Sequence, residues 1–112
     1  CLRPGDHVVS TDDLYGGTYR LMTQVHQPWC LEFSFANLSD PSDVDARFQD
    51  NTKLLWIETP TNPLLRVFDI AALAERARQR GITVVVDNTF ASPYLQQPLA
   101  LGADLVVHSA TK

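Results

Sequence analysis

Three short stretches place chemically active side chains directly after apolar runs. Glu58-Thr59-Pro60-Thr61-Asn62-Pro63 follows the run 53–57, Asp87-Asn88-Thr89 follows 82–86, and His108-Ser109-Ala110-Thr111-Lys112 follows 105–107. Ser109 and Thr111 are two apart, so in extended backbone both hydroxyls face the same way, as a phosphate needs. Lys112 carries an amine that must lose its proton before it can act as a nucleophile or base. The carboxylate of Asp87 suits a cationic or protonated ring nitrogen. Ligands of open α/β sheets bind beyond the carboxyl ends of the strands. If the three apolar runs are parallel strands, an amide, a carboxylate, two hydroxyls and an amine therefore meet at one edge. Two hydroxyls beside an amine suit a phosphate with a nearby electrophile. With a carboxylate on the far side, the set points to pyridoxal 5'-phosphate (PLP), whose enzymes use a Schiff-base lysine and a carboxylate partner for the pyridinium nitrogen.

The elements needed to position these groups are legible in the spacing. Lys53-Leu54-Leu55-Trp56-Ile57 is a continuous apolar run stopped by Pro60 and Pro63, and Ile82 to Val86 is β-branched and apolar. Both read as strands buried on two faces, and Leu105-Val106-Val107 as a third. His7 to Ser10 is a short strand candidate, and Leu31 to Phe35 alternates with period two. Between strands, Asp69 sits at an N-cap position, Ile70, Leu73, Ala74 and Ala77 form a helical stripe, and Gly81 ends the helix. Leu21, Met22 and Val25 predict a helix over about 18–26. Val44 and Phe48 predict a short one after the Asp-rich stretch 39–45, and a further helical piece is expected near 96–101. Strands alternating with helices predict an α/β fold with a mainly parallel sheet covered on both faces.

Composition narrows the function classes. The 112 residues are 45% hydrophobic and 20% charged, as in an ordinary core-forming chain. A net charge of −4 with nine scattered Lys and Arg argues against nucleic-acid binding. No apolar run approaches the roughly 18–20 residues of a membrane span, and the opening residues do not read as a secretory leader. Cys1 and Cys30 do not make a disulfide scaffold, and with three scattered histidines they complete no zinc pattern, so no metal site is expected. Two free thiols fit a reducing cytoplasm. Cys1 in place of an initiator Met, and an end at Lys112 straight after a strand, point to a fragment.

Four strings then carry a specific resemblance. Asp13-Leu14-Tyr15-Gly16-Gly17-Thr18, Ile57 through Pro63, Val86-Asp87-Asn88-Thr89-Phe90 and His108 through Lys112 together resemble the Cys/Met-metabolism PLP-dependent enzymes, in that family's order and spacing. The resemblance covers essentially the whole chain. It implies part of a fold-type I (aspartate aminotransferase-like) PLP domain, with residues 1–112 forming the central part of the large PLP-binding domain. The N-terminal arm and C-terminal domain then lie outside the chain.

Residue roles follow from that resemblance. Lys112 resembles the lysine that holds PLP covalently and shuttles protons. Asp87 resembles the partner of the pyridine nitrogen, and Ser109 and Thr111 resemble phosphate ligands. Tyr15 resembles the tyrosine that stacks on the cofactor ring and handles protons in elimination; the two glycines after it are expected to let the backbone turn tightly at a helix entry. Asn62 resembles the residue near the cofactor's phenolic oxygen. Arg20 lies where some members place an arginine near the substrate's distal carboxylate, though a solvated helix arginine reads equally well. His108 reads as structural.

The implied activity is trans-sulfuration of a small amino-acid substrate, by γ-elimination or γ-replacement on cystathionine or an O-acyl-homoserine. That is the reaction of a cystathionine γ-lyase or γ-synthase. Methionine γ-lyases usually carry Cys where this chain has Gly17, which counts against that activity. Cystathionine β-lyase and O-acetylhomoserine sulfhydrylase remain alternatives, as does a catalytically silent homologue acting as a binding module. The family also implies a cytoplasmic homotetramer, a dimer of dimers with active sites shared between subunits, and no nucleic-acid or membrane partner.

Overall fold

The computed structural model describes residues 1–111. Five strands form one sheet: β1 (His7–Thr11), β2 (Glu32–Ala36), β3 (Thr52–Glu58), β4 (Thr83–Asp87) and β5 (Leu105–Val107). Their order is β2-β1-β3-β4-β5, and every neighbouring pair is parallel. The carboxyl ends of all five strands therefore share one edge, as the apolar runs predict.

Alternation along the strands assigns the two faces. Val9, Leu55, Ile57, Val84 and Val86 point to one face and join a single buried cluster with Ile70, Leu73, Ala74 and Ala77. Those four belong to helix α2 (Ile70–Gln79), where Asp69 accepts the Ala72 N–H at 2.9 Å as N-cap. Gly81 follows with φ +66°, the left-handed conformation expected after a helix end. Val44 and Phe48 enter the same cluster from the 3₁₀ turn Pro41–Arg47, which Asp40 caps through the Ser42 N–H.

The opposite face is covered from the stretch after β1. Helix α1 (Gly16–Arg20) continues into a π-helical segment (Leu21–His26) and a 3₁₀ turn (Gln27–Trp29). Tyr19 packs on Phe35 of β2 with ring centroids 5.1 Å apart. Of the stripe Leu21, Met22 and Val25, only Met22 is buried. The i→i+5 turn is wider than an α-turn, so residues three and four apart no longer fall on one line. Of the helical piece expected near 96–101, the 3₁₀ turn Pro98–Leu101 forms, and a turn of α-helix, α3 (Ser92–Leu95), precedes it. Gln96 adopts extended backbone between them. Its side-chain amide donates to the Thr59 carbonyl at 2.9 Å and to Asn88 Oδ1 at 2.7 Å. No helix among the described residues is long and apolar enough to cross a membrane.

At the amino end of the sheet, buried His7 ties three strands together. Its Nδ1 lies 2.7 Å from Thr52 Oγ1 and its Nε2 lies 2.9 Å from Ser34 Oγ. Burial lowers its pKa from the usual 6.5, against an opposing pull from the charge of Glu32. A histidine that resists protonation in the folded state supports stability above its unfolded pKa, and that support is lost as pH falls. The stability difference between wild type and His7→Asn should therefore narrow as pH falls below about 6.5 in unfolding experiments.

Candidate functional site

The strand ends are joined by hydrogen bonds that continue past the sheet. β3 and β4 pair from Leu54↔Thr83 to Glu58↔Asp87, so the two carboxyl residues are direct neighbours on adjacent strands. Beyond them, the Thr59 N–H donates to the Asp87 carbonyl (3.2 Å) and the Asn88 N–H to the Val107 carbonyl (2.9 Å). The loop after β3 is fastened to the loop after β1. Thr61 Oγ1 donates to Asp13 Oδ2, which also accepts the Leu64 N–H at 3.1 Å. Thr61 Oγ1 in turn accepts the Arg66 N–H at 2.9 Å. The peptide bonds Thr59–Pro60 and Asn62–Pro63 are both cis.

These constraints build one cleft above the carboxyl ends of the strands. Tyr15, Asn62, Asp87, Ser109 and Thr111 line it, so five of the residues singled out by the sequence meet there. Glu58, Pro60, Thr89 and Phe90 complete its wall. Arg20 is exposed at the end of α1 and does not line the cleft. His108 is exposed and faces a different hollow, beside Asn88, Gln96 and Pro98. Lys112 lies outside the described residues.

A chain of hydrogen bonds links the acidic side of the cleft to its hydroxyl side. Asp87 Oδ1 accepts from both the N–H (3.0 Å) and the hydroxyl (2.6 Å) of Thr89. Thr89 Oγ1 accepts the Ser109 N–H at 2.9 Å. Ser109 Oγ and Thr111 Oγ1 lie 2.9 Å apart, so the two hydroxyls do face one point. Asp87 Oδ2 makes no hydrogen bond among the described residues, which leaves one carboxylate oxygen for a ligand donor.

Glu58 and Thr89 were not among the expected site residues, although both stand in the stretches after the apolar runs. Glu58 had a readable signal, because β3 and β4 each extend one residue past the apolar run and the parallel register then sets it opposite Asp87. Glu58 is only 5% exposed. It accepts the Tyr15 N–H on both oxygens, at 3.1 and 3.0 Å. Burial pushes its pKa up to about 7; the Tyr15 N–H opposes the rise and the charge of Asp87 adds to it.

The glycines after Tyr15 serve a different purpose from the tight turn expected of them. Gly16 and Gly17 are ordinary helical residues of α1, and the glycines with positive φ are Gly5, Gly81 and Gly102. At position 17 the requirement is space, since a Cβ there would fall 2.5 Å from Tyr15 Cε1.

Comparison with known proteins gives this geometry a family. The model for the Cys/Met metabolism PLP-dependent enzymes matches residues 1–112. The chain belongs to that family. It is 55% identical over 111 residues to a probable cystathionine gamma-synthase of Herpetosiphon aurantiacus, covering 99% of this chain and 35% of that protein. It is 58% identical to a cystathionine gamma-lyase of Dictyostelium discoideum, covering 99% and 29% respectively. Cystathionine gamma-lyase from Lactobacillus plantarum, solved with L-serine, superposes with a TM-score of 0.97 at 44% identity, over 98% of this chain and 29% of that one. The chain thus spans about a third of the length of these relatives. Membership of a PLP-dependent family agrees with the cleft's own chemistry: an available carboxylate oxygen, paired hydroxyls and an aromatic residue fit a protonated ring that carries a phosphate.

Tyr15 is half exposed, so its ring has somewhere to go if crowded. A crystal structure of the Gly17→Ala variant should show the Tyr15 ring swung away from residue 17 while helix α1 persists. An unmoved ring would contradict the role assigned to Gly17.

Proposed function

We propose that this chain is the central, cofactor-binding part of a PLP-dependent trans-sulfuration enzyme, a cystathionine γ-lyase or γ-synthase. The observation that carries the reading is the single cleft in which Asp87, with Oδ2 available, is linked through Thr89 to the paired hydroxyls of Ser109 and Thr111. Names of relatives on both sides of the lyase–synthase divide support the reaction class without favouring one member.

When bound, PLP supplies a carbonyl for the substrate amine and a ring that draws electrons from the substrate's Cα. Asp87 would accept a hydrogen bond from the protonated ring nitrogen and so keep the ring cationic. Thr89 keeps Asp87 from turning away, because it engages Oδ1 twice. Ser109 and Thr111 would donate their hydroxyls to the phosphate. Tyr15 would cover the ring and handle a proton during elimination, and Asn62 would bond the phenolic oxygen. Lys112 would hold the cofactor covalently until the substrate amine displaces it, and the freed Nζ would then carry the proton from the substrate's Cα to a neighbouring carbon. Arg20 remains a candidate for the substrate's distal carboxylate, which would have to reach past the cleft wall.

The wider reading is a cytoplasmic homotetramer, a dimer of dimers with shared active sites. Family resemblance supports the assembly, and the exposed free thiols of Cys1 and Cys30 support a reducing compartment.

The test uses the full-length protein. Borohydride reduction should fix PLP to the peptide containing Lys112, and Lys112→Ala should abolish that labelling and lower turnover at least about a hundredfold. Asp87→Asn should weaken PLP binding about tenfold, as expected for loss of a charge-assisted hydrogen bond. Product analysis with cystathionine, O-succinylhomoserine and methionine then separates elimination from replacement. Purified protein that neither contains nor takes up PLP would overturn the assignment.

A further inference from the structure

Glu58 is an expensive residue for its position. The peptide N–H of Tyr15 needs an acceptor, which the neutral amide oxygen of a glutamine would supply. The chain instead buries a carboxyl directly opposite Asp87 in the β3–β4 register. None of the ion pairs formed among the described residues includes Glu58. Like charges side by side are unfavourable unless a cation joins them. We propose that Glu58 is a positioning residue of the cleft, holding Tyr15 at the wall through its peptide N–H and adding a second negative charge that favours a cationic ring against Asp87. The inference rests on the PLP reading above and extends it to a residue with no direct claim on the cofactor.

The groups facing Glu58 come from four elements. Asp87 faces it from β4 and Asp13 from the loop after β1, both acidic; the peptide N–H groups come from Tyr15 at the head of α1 and Asn62 in the loop after β3. With a pKa of about 7, set first by burial, Glu58 changes charge across neutrality. Ionisation strengthens its hold on the Tyr15 N–H, since a charged acceptor makes the stronger bond. It also deepens the negative potential beside Asp87. A ring cation bound at Asp87 and the ionised form of Glu58 therefore favour one another, and this mutual preference grows as pH rises.

The experiment is a PLP titration of the full-length protein, followed by absorbance, for wild type, Glu58→Gln and Glu58→Ala at pH values about one unit either side of the Glu58 pKa. Glu58→Gln keeps the acceptor and the shape but loses the charge. It should bind PLP within about twofold of wild type at the lower pH and about tenfold more weakly at the higher. Glu58→Ala, lacking both acceptor and charge, should bind more weakly than Glu58→Gln at both. If Glu58→Ala fails to fold, the Gln variant alone decides. Equal affinities of wild type and Glu58→Gln at both pH values, or a gap that does not change with pH, would overturn the role of Glu58 while leaving the PLP site intact. Wild-type protein that binds no PLP would overturn the proposed function and this inference with it.

Discussion

The parallel register of β3 against β4 is the constraint on which the cleft depends. Leu55, Ile57, Val84 and Val86 are fully or almost fully buried on the α2 face, and Val85 is buried on the other. A slip of one residue would turn each of these side chains to the opposite face, so burial specifies the pairing strongly. The same register that buries the valines sets Glu58 beside Asp87. The geometry of the cleft is thus a by-product of core packing, carried to the last residue of β3 and β4.

Beyond the strands, burial gives way to hydrogen bonding as the source of order. The loops that follow β1, β3 and β4 bury a few apolar anchors, Leu14, Phe68 and Ala91, and between them are held by polar groups enclosed among the loops. Asp13 fastens Thr61 and Leu64, Gln96 joins Thr59 to Asn88, and Thr89 joins Asp87 to Ser109. Because such groups are costly to leave unpaired when buried, each bond also restricts where the loop can sit. The result is a set of ligand-facing groups fixed before a ligand arrives, which lowers the ordering cost of binding.

The sheet, its parallel sense and helix α2 were legible in the sequence because each follows from periodic burial. Ile70, Leu73, Ala74 and Ala77 announce their face by spacing alone, and Asp69 and Gly81 mark its ends. The π-helical segment from Leu21 to His26 was not legible, since its residues repeat at ordinary helical spacing. Gln96 escaped notice for a related reason: its extended backbone answers to Thr59 and Asn88, partners distant in the chain or hidden by a turn. Within the cleft, the apolar runs point to the groups after them, but nothing in the spacing alone sets Glu58 apart from its neighbours. Its importance comes from what stands opposite, and that is a property of register. The purpose of Gly17 likewise depends on the direction of the Tyr15 ring, which composition does not carry.

The central claim is that the carboxyl ends of these parallel strands form a seat for PLP, with Asp87 at the ring nitrogen and Ser109 and Thr111 at the phosphate. A crystal structure of the full-length protein grown with PLP tests it most directly. The ring is expected in the cleft beside Tyr15, with Asp87 Oδ2 within hydrogen-bond distance of the pyridine nitrogen and both hydroxyls on the phosphate. A cofactor bound elsewhere, or lying in the cleft with its nitrogen away from Asp87, would contradict it.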